Sequence, residues 1–514
     1  MKTKKKPKLS DAELQQKAED LGHSRPLYAW RVSDHPEVKD VIGVLFAEMD
    51  RQGLVSKRYG DKLRRNLSTI VLDLYVASDT DPKLYISYSR NGNDYGKGKS
   101  LFFLTHSHVI KSVDFLIGNQ YVENILGFRN PQNPSRSKLS RMRATEKLID
   151  LFRQKKIVLG MIKRDEDEPL LILRDDEKQP VDFEETEDTK RMTENLKIIN
   201  KALSKWAILL YVTDDKLKQI NERMRENPDP GKRGPIDFTN KRLRRIFNNS
   251  RWNQGGRFFG GWWQNVPREY RKYIRLDDKH VVECDYSGLH INMLYALEKR
   301  PMPKGDVYHL DGYSNDEIFR KFVKQLLLVM VNAESRDKAR GAINEAVYRY
   351  KELELPPEIT STKGEHLFPV MDAFASKHHK ISHYFCSGKG IDLQNLDSKI
   401  AEKVLMSFAK FYAVLPLHDS FVVHHGLEDT LKESMQQAFL EVLGCETKID
   451  LKYNSLEERR KEFPPKPGHY KVDFAEVRAA KVPFSTYHNL LTEHYRSRSP
   501  NKKAPEQESD FIPF

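Results

Sequence analysis

Two short segments constrain the fold of this chain more than any others: VVECDYSGLHINMLYA at 281–296 and VLPLHDSFVVHH at 414–425. Each sets one aspartate, Asp285 or Asp419, beside a run of β-branched and apolar residues that reads as a buried strand. A charge at the end of such a strand is costly to bury and needs a partner. Two carboxylates brought together repel unless a proton or a cation lies between them. At neutral pH the cheapest resolution is a pair of hard divalent ions, the arrangement that in-line phosphoryl transfer uses. The fold expected of this chain therefore lays two strands, distant in sequence, side by side with their acidic ends together.

The chain has room for such a core. Its 514 residues, 39% hydrophobic and 31% charged, fit a soluble globular protein of about two to four domains. No apolar run approaches the roughly eighteen residues that span a bilayer, and LLLVMV at 326–331 is far too short. The basic start MKTKKKPKLSD leads into no apolar stretch, so no secretory signal is expected. Cys284, Cys386 and Cys445 lie scattered without C-x-x-C spacing, which speaks against a disulfide scaffold or zinc module and suits a reducing cytoplasm. The net charge of +13 points to a polyanionic partner, because Lys and Arg gain affinity by releasing counterions from phosphates. General solubility is the bland alternative. Clustering of basic residues at 136–143, 232–245 and 268–275, with acidic ones around 165–189, favours the polyanion.

Residues 1–25 read as a flexible basic head, and 26–160 as an N-terminal α+β domain. There, helical VKDVIGVLFAEMDRQG and HVIKSVDFLIGNQYVENI flank strand-like KLYISYSRN and KSLFFLTHS. A Gly/Pro/Asn loop dense in basic residues, running towards Arg141 and Arg143, then precedes another helix. Helix, basic loop, helix is compatible with a winged helix reading a duplex, and equally with an ordinary α+β domain. Residues 161–190 read as an acidic, solvated connector around one strand, EPLLILR. Helical periodicity fills 191–250, and 251–480 alternates strands and helices as one catalytic body would. Residues 481–514 are expected to form a helix and a disordered tail. No internal repeat is visible.

With these segments in order, 251–425 resembles the palm and fingers of family A DNA polymerases and the related phage-type single-subunit RNA polymerases. DYSGLH resembles their first carboxylate motif, and AVLPLHDSFVV the second, where a histidine precedes the aspartate. RKFVKQLLLVMVNA resembles the fingers helix, GGRFFGGWWQNVP the Gly-Arg segment of the DNA enzymes, and LQNLDSKIAEKVLMSF the Gln-bearing helix before the second carboxylate. The resemblance implies an α+β right-hand polymerase (palm, fingers and a thumb-like 191–250) with the N-terminal domain outside the match. It implies that Asp285 and Asp419, with the backbone carbonyl of Tyr286, hold two Mg²⁺ or Mn²⁺ ions. Arg320 and Lys324, four apart on one helical face, would balance a triphosphate, with Lys324 protonating the departing pyrophosphate. Tyr286 and His290 would line the nucleotide, His290 standing where the DNA enzymes carry a glutamate that blocks a 2′-hydroxyl. Arg257, Gln394 and His418 match positions that touch the minor groove at the primer terminus. Arg141, Arg143, Arg244 and Arg245, from the basic clusters, are further nucleic-acid candidates.

Other features weigh less. Asn332 replaces the aromatic that the family carries at the end of the fingers helix, which puts base-selection geometry in question. Trp262 and Trp263 read equally as a stacking platform or as core. His379 with His383, and His106 with His108, read as structural. Asp73, Asp79 and Asp81 read as strand-end and turn residues, so no proofreading centre is expected. No phosphate-binding G-x-x-x-x-G-K-[ST] loop occurs. The tip Asp510-Phe511-Ile512-Pro513-Phe514 resembles that of bacterial single-stranded-DNA-binding proteins, which implies docking onto the host proteins that recognise such tips. The function expected is a template-directed nucleotidyltransferase: a DNA polymerase without proofreading, acting on DNA template, primer and nucleoside triphosphates. A single-subunit RNA polymerase or primase-like enzyme is the first alternative, favoured by His418-Asp419-Ser420 and Asp306-Val307-Tyr308. A non-catalytic DNA-binding replication initiator is the second, and a nuclease using the same two metals the third.

Overall fold

The computed structural model describes residues 22–95, 103–130, 133, 137–227, 234–462 and 485–498. It is an α+β protein, and the two acidic segments do form neighbouring strands. Val281–Tyr286 lies between Ser420–His424 and Ile449–Asn454, with Leu415–Pro416 beyond Ser420–His424, all antiparallel. Alternation sorts the central strand by face. The Tyr286 side chain packs against Phe421 and Phe439, the latter on the helix Glu428–Leu443, while Glu283 and Asp285 point to the opposite side. Val281, Val282, Cys284 and Tyr286 are all buried, as an apolar run in a central strand requires.

A second sheet runs in the order Arg251–Phe259, Arg244–Asn248, Leu171–Arg174, Pro180–Val181. The connector expected at 161–190 is therefore no solvated linker. Its strand pairs in parallel with Arg244–Asn248, and Leu171 and Leu173 are buried. Acidic composition hid this because the charges sit on its loops, while Glu168 is internal and paired with Arg164. The helix Gly390–Phe408 crosses this sheet at Gly255 and Gly256. Gly256 has φ +87°, and a Cβ there would lie 2.6 Å from the Phe247 ring and 3.0 Å from the Ser398 hydroxyl, so only glycine admits the helix this closely.

The N-terminal part contains the helices Pro36–Arg51, Gly60–Thr80, His106–Gly118 and Glu146–Gln154. Its sheet runs Ser24–Pro26, Tyr85–Tyr88, Ser140–Ala144, Val122–Ile125, parallel only at the first pair. The helix expected to run through 108–125 stops at Gly118, and Gln120 takes φ +61°. The chain continues as a strand, Val122–Ile125, that pairs with Ser140–Ala144 across the basic segment. Arg141 and Arg143 thus stand on a returning strand and not on the loop. Asp73 and Asp79 lie inside the helix Gly60–Thr80, contrary to the strand-end and turn positions expected; Asp81 does follow it, accepting from the Lys83 N–H at 2.8 Å.

The helix Ser485–Arg498 returns to the body, with Arg498 donating to the Lys205 carbonyl at 2.6 Å. Among the described residues no helix is long and apolar enough to cross a membrane. Cys284, Cys386 and Cys445 are free. The basic head through residue 21 and the tip Asp510 to Phe514 lie outside the described residues.

Candidate active site

Each aspartate is delivered by a tight reversal. The strand bearing Asp285 turns at Gly288, φ +60°, into the helix Leu289–Leu297, which places His290 in its first turn. A Cβ on Gly288 would stand 3.2 Å from the Tyr308 hydroxyl. On the neighbouring strand the Leu417 N–H donates to the Ser420 carbonyl at 2.8 Å, and His418 adopts φ +71° to close the turn. A non-glycine residue in that region is strained, and such strain collects at sites where the surroundings demand it.

The register then brings the acids together. Asp285 lies opposite Ser420, so Asp419 is one residue beyond, and the Tyr286 N–H reaches the Asp419 carbonyl at 3.4 Å. Burial, and next the charge of Asp419, push the Asp285 pKa up to about 6. One Asp285 oxygen, Oδ2, meets the Lys452 ammonium at 2.8 Å; the other, Oδ1, is buried with no hydrogen-bond partner. This donor set fits hard divalent ions, because a buried orphaned carboxylate oxygen beside a second carboxylate lacks positive charge. Among the described residues no three His, Cys, Asp or Glu side chains converge into a closed cage. Mg²⁺ does not require one, being held by one or two carboxylates together with water and substrate phosphates.

A third carboxylate feels the charge of Asp419. Asp397, on the helix Gly390–Phe408, is 2% exposed and bonded through Oδ2 to the Arg257 Nε at 2.7 Å. Burial raises its pKa to about 6; Arg257 pulls it down and Asp419 pushes it up. His290 is pushed down to about 4 by burial and then by Arg257, with Asp419 opposing, so its imidazole is neutral at pH 7. Arg257, Asp397 and His418 line one small cavity. Gln394, half-buried and one turn before Asp397, makes no side-chain hydrogen bond among the described residues.

The helix Glu317–Asn332 begins at Asp316, whose carboxylate accepts from the Phe319 N–H at 2.7 Å. Arg320 donates to Asp306 at 2.6 Å and its guanidinium lies 5.2 Å from the centre of the Tyr308 ring. Tyr308 therefore links Arg320 to the Gly288 turn. Lys324 is exposed and has no ion pair among the described residues. At the far end Asn332 abuts Gly390, where a Cβ would collide with its side chain. The small residue there lets the two helices meet.

Several expected contacts resolve into packing. The Tyr286 hydroxyl donates to the Met435 carbonyl at 2.7 Å inside the core, which leaves only its backbone near the acids. Arg245, 2% exposed, is fully engaged by the Gly256 carbonyl (2.7 Å), Glu402 (2.8 Å) and Ser398 (2.9 Å), and so pins the second sheet to the helix crossing it. Arg141, 7% exposed, donates to Ser24 and to the Leu139 carbonyl. Arg244 lies against Glu168, and burial lowers its pKa. Arg143 pairs with Glu123 and stacks over Tyr85 at 4.8 Å. Trp262 and Trp263 are core, the Trp263 N–H donating to the Pro416 carbonyl at 3.2 Å. His106 bonds the Arg90 carbonyl and His383 bonds Glu298, so neither histidine pair converges on a metal.

Sequence reasoning missed Asp397 and Lys452. Asp397 was within reach, since it follows Gln394 by one helical turn and shares its face. Lys452 carried no signal of its own.

The chain matches no protein-family model, and no curated protein matches it. Among solved structures it is similar to the POL domain of Pol1 from M. smegmatis, in complex with DNA primer-template and dNTP. That match covers 87% of this chain and 69% of the other at 10% identity, with a TM-score of 0.26.

Proposed function

We propose that this chain is a template-directed nucleotidyltransferase, a DNA polymerase without proofreading whose central sheet is the palm. The observation that carries the reading is the meeting of Asp285 and Asp419 at one end of adjacent antiparallel strands, with a buried Asp285 oxygen left without a partner. Asp285 and Asp419, with the Tyr286 backbone carbonyl, would hold the Mg²⁺ or Mn²⁺ ions. When bound, such ions acidify a primer hydroxyl and neutralise a leaving pyrophosphate. The chain's own residues supply the rest. Arg320, steadied by Asp306 and Tyr308, and the exposed Lys324 would receive the triphosphate, with Lys324 placed to give a proton to the leaving group. Arg257, Gln394 and His418 would line the primer end, where hydrogen bonds test base-pair shape.

Neutral, half-buried His290 would crowd the sugar and favour deoxynucleotides. A second reading rests on the same residue: an imidazole that makes no hydrogen bond among the described residues is free to bond a ribose 2′-hydroxyl, as an RNA polymerase or primase-like enzyme would need. What supports duplex binding by the N-terminal part is a helix, His106–Gly118, that leads into two paired strands, Val122–Ile125 and Ser140–Ala144, around the basic segment. Docking of Asp510 to Phe514 onto host replication proteins is part of the proposal and stands on the sequence alone.

Primer extension with dNTPs and NTPs offered separately, with Asp419→Asn as control, tests these readings together. Extension with dNTPs that the control lacks is expected. Extension with NTPs alone selects the RNA reading, incorporation of neither selects a non-catalytic initiator, and shortening lost in the control selects a nuclease.

A further inference from the structure

The strand Ile449–Asn454 does not pair evenly with the one bearing Asp285. Glu283 lies opposite Tyr453, but the next residue, Cys284, lies opposite Leu451. Lys452 is therefore the extra residue of a β-bulge, opposed by nothing on the partner strand. A bulge bends its strand and re-aims the side chain it carries. Here the redirected ammonium comes to 2.8 Å from the Asp285 Oδ2. Were the ladder regular, a residue at this point would alternate with its neighbours and could not reach the acid in this way.

The surroundings single out Asp285 as the partner of Lys452. Asp450, opposite Asp285 in the register, is engaged by the Ser287 hydroxyl and by Lys448 at 3.2 Å. Glu283, the other acid on that face, accepts from the Ser420 hydroxyl at 2.8 Å and lies 3.7 Å from Arg271. Lys452 is 27% exposed and Asp285 15%, so their attraction is incompletely screened by water. The ammonium thus takes one oxygen of the carboxylate and leaves the buried one bare.

We propose that Lys452 is the resident counter-ion of Asp285 and sets the divalent-cation affinity of the site by competing for that carboxylate. The inference rests on Asp285 being a cation ligand, as in the proposed function. Lys452 would have to give up the Asp285 oxygen to an incoming divalent ion, and its positive charge would remain beside that ion. Both effects weaken metal binding, so the ion binds firmly only when triphosphate oxygens bring further negative charge.

The test is Mn²⁺ titration of the full chain by electron paramagnetic resonance, without nucleic acid or nucleotide. Lys452→Met is expected to bind Mn²⁺ roughly tenfold more tightly, the equivalent of one charged hydrogen bond. Lys452→Arg, which keeps the charge, is expected to stay within about twofold of the parent. Lys452→Gln takes the role of the methionine variant should that one not fold. Unchanged or weaker Mn²⁺ binding on removal of the charge overturns the inference and leaves the site in place. Mn²⁺ binding indifferent to both Asp285→Asn and Asp419→Asn overturns the underlying reading as well.

Discussion

Two regions of this protein bury aspartates, and they treat them in opposite ways. In the N-terminal part Asp73 is 0% exposed and saturated: Arg25 grips both oxygens at 2.7 Å, Arg31 adds a bond at 2.6 Å, and the Tyr28 N–H another at 2.8 Å. Arg31 continues to Asp237 at 2.6 Å, tying the N-terminal helices to the segment that leads into the second sheet. Burial alone would raise the Asp73 pKa, but the two arginines hold it below the usual carboxylate range. At the end of the central sheet Asp285 and Asp397 have one cationic partner each, and both pKa values stand above that range, at about 6. A saturated acid is part of the frame. An acid left short of positive charge is kept for something that arrives later, and such groups cluster at functional sites.

The largest effect expected is on activity. Asp285→Asn and Asp419→Asn should each abolish nucleotide incorporation without lowering the midpoint of thermal unfolding, since each relieves like-charge repulsion. A concurrent loss of stability would erase the distinction between the two regions. The mirror-image change is Arg31→Met, which takes one arginine from buried Asp73 and its arginine from half-buried Asp237. It should cost about 3–5 kcal/mol in urea unfolding while incorporation per folded molecule is retained.

Acid should separate Asp73 from Asp397 by sign. The Asp73 pKa is lowered, so its stabilisation is present above the unfolded value of 3.8 and is lost as pH falls through its folded pKa. The Asp397 pKa is raised to about 6, so its contribution is present below 3.8 and is lost as pH rises towards 6. In EDTA, Asp397→Asn should therefore flatten the stability profile between about pH 4 and 6, by roughly 3 kcal/mol for a carboxyl raised that far. The same measurement on Asp73→Asn should show its deficit above pH 4. An unaltered slope in Asp397→Asn would mean that Asp397 is not strained by its surroundings.

This contrast was only half legible in the sequence. The apolar runs around Asp285 and Asp419 specified strands, and the order of motifs specified their neighbours, because a short run of β-branched and apolar residues leaves a readable pattern. Helix Glu317–Asn332, with Arg320 and Lys324 on one face, was legible from its own period of 3.6 residues. Arginines were not. Whether Arg141 or Arg245 faces a phosphate or an internal carbonyl depends on which strand lies next to it, and no local pattern records that. Asp73 was misread as a strand-end or turn residue because a fully buried aspartate inside a helix is rare enough to discount. The bulge at Lys452 arises from pairing with a strand far away in the chain, so its own segment gave no warning.

The finest test concerns the boundary between frame and site, where Arg257 meets Asp397. Their bond uses only the Arg257 Nε, and no bond from either terminal nitrogen occurs among the described residues. If Asp397 aims those nitrogens at the primer end, removing either partner should slow incorporation at saturating nucleotide, and removing both should cost little more than one. A double-mutant cycle of Arg257→Ala and Asp397→Asn should thus show a coupling of about 1–2 kcal/mol in the incorporation barrier. Additive losses would place Asp397 with Asp73, as a carboxylate that serves only the fold. Coupling in unfolding free energy without coupling in rate would lead to the same place, because a structural pair acts on stability and leaves primer positioning untouched.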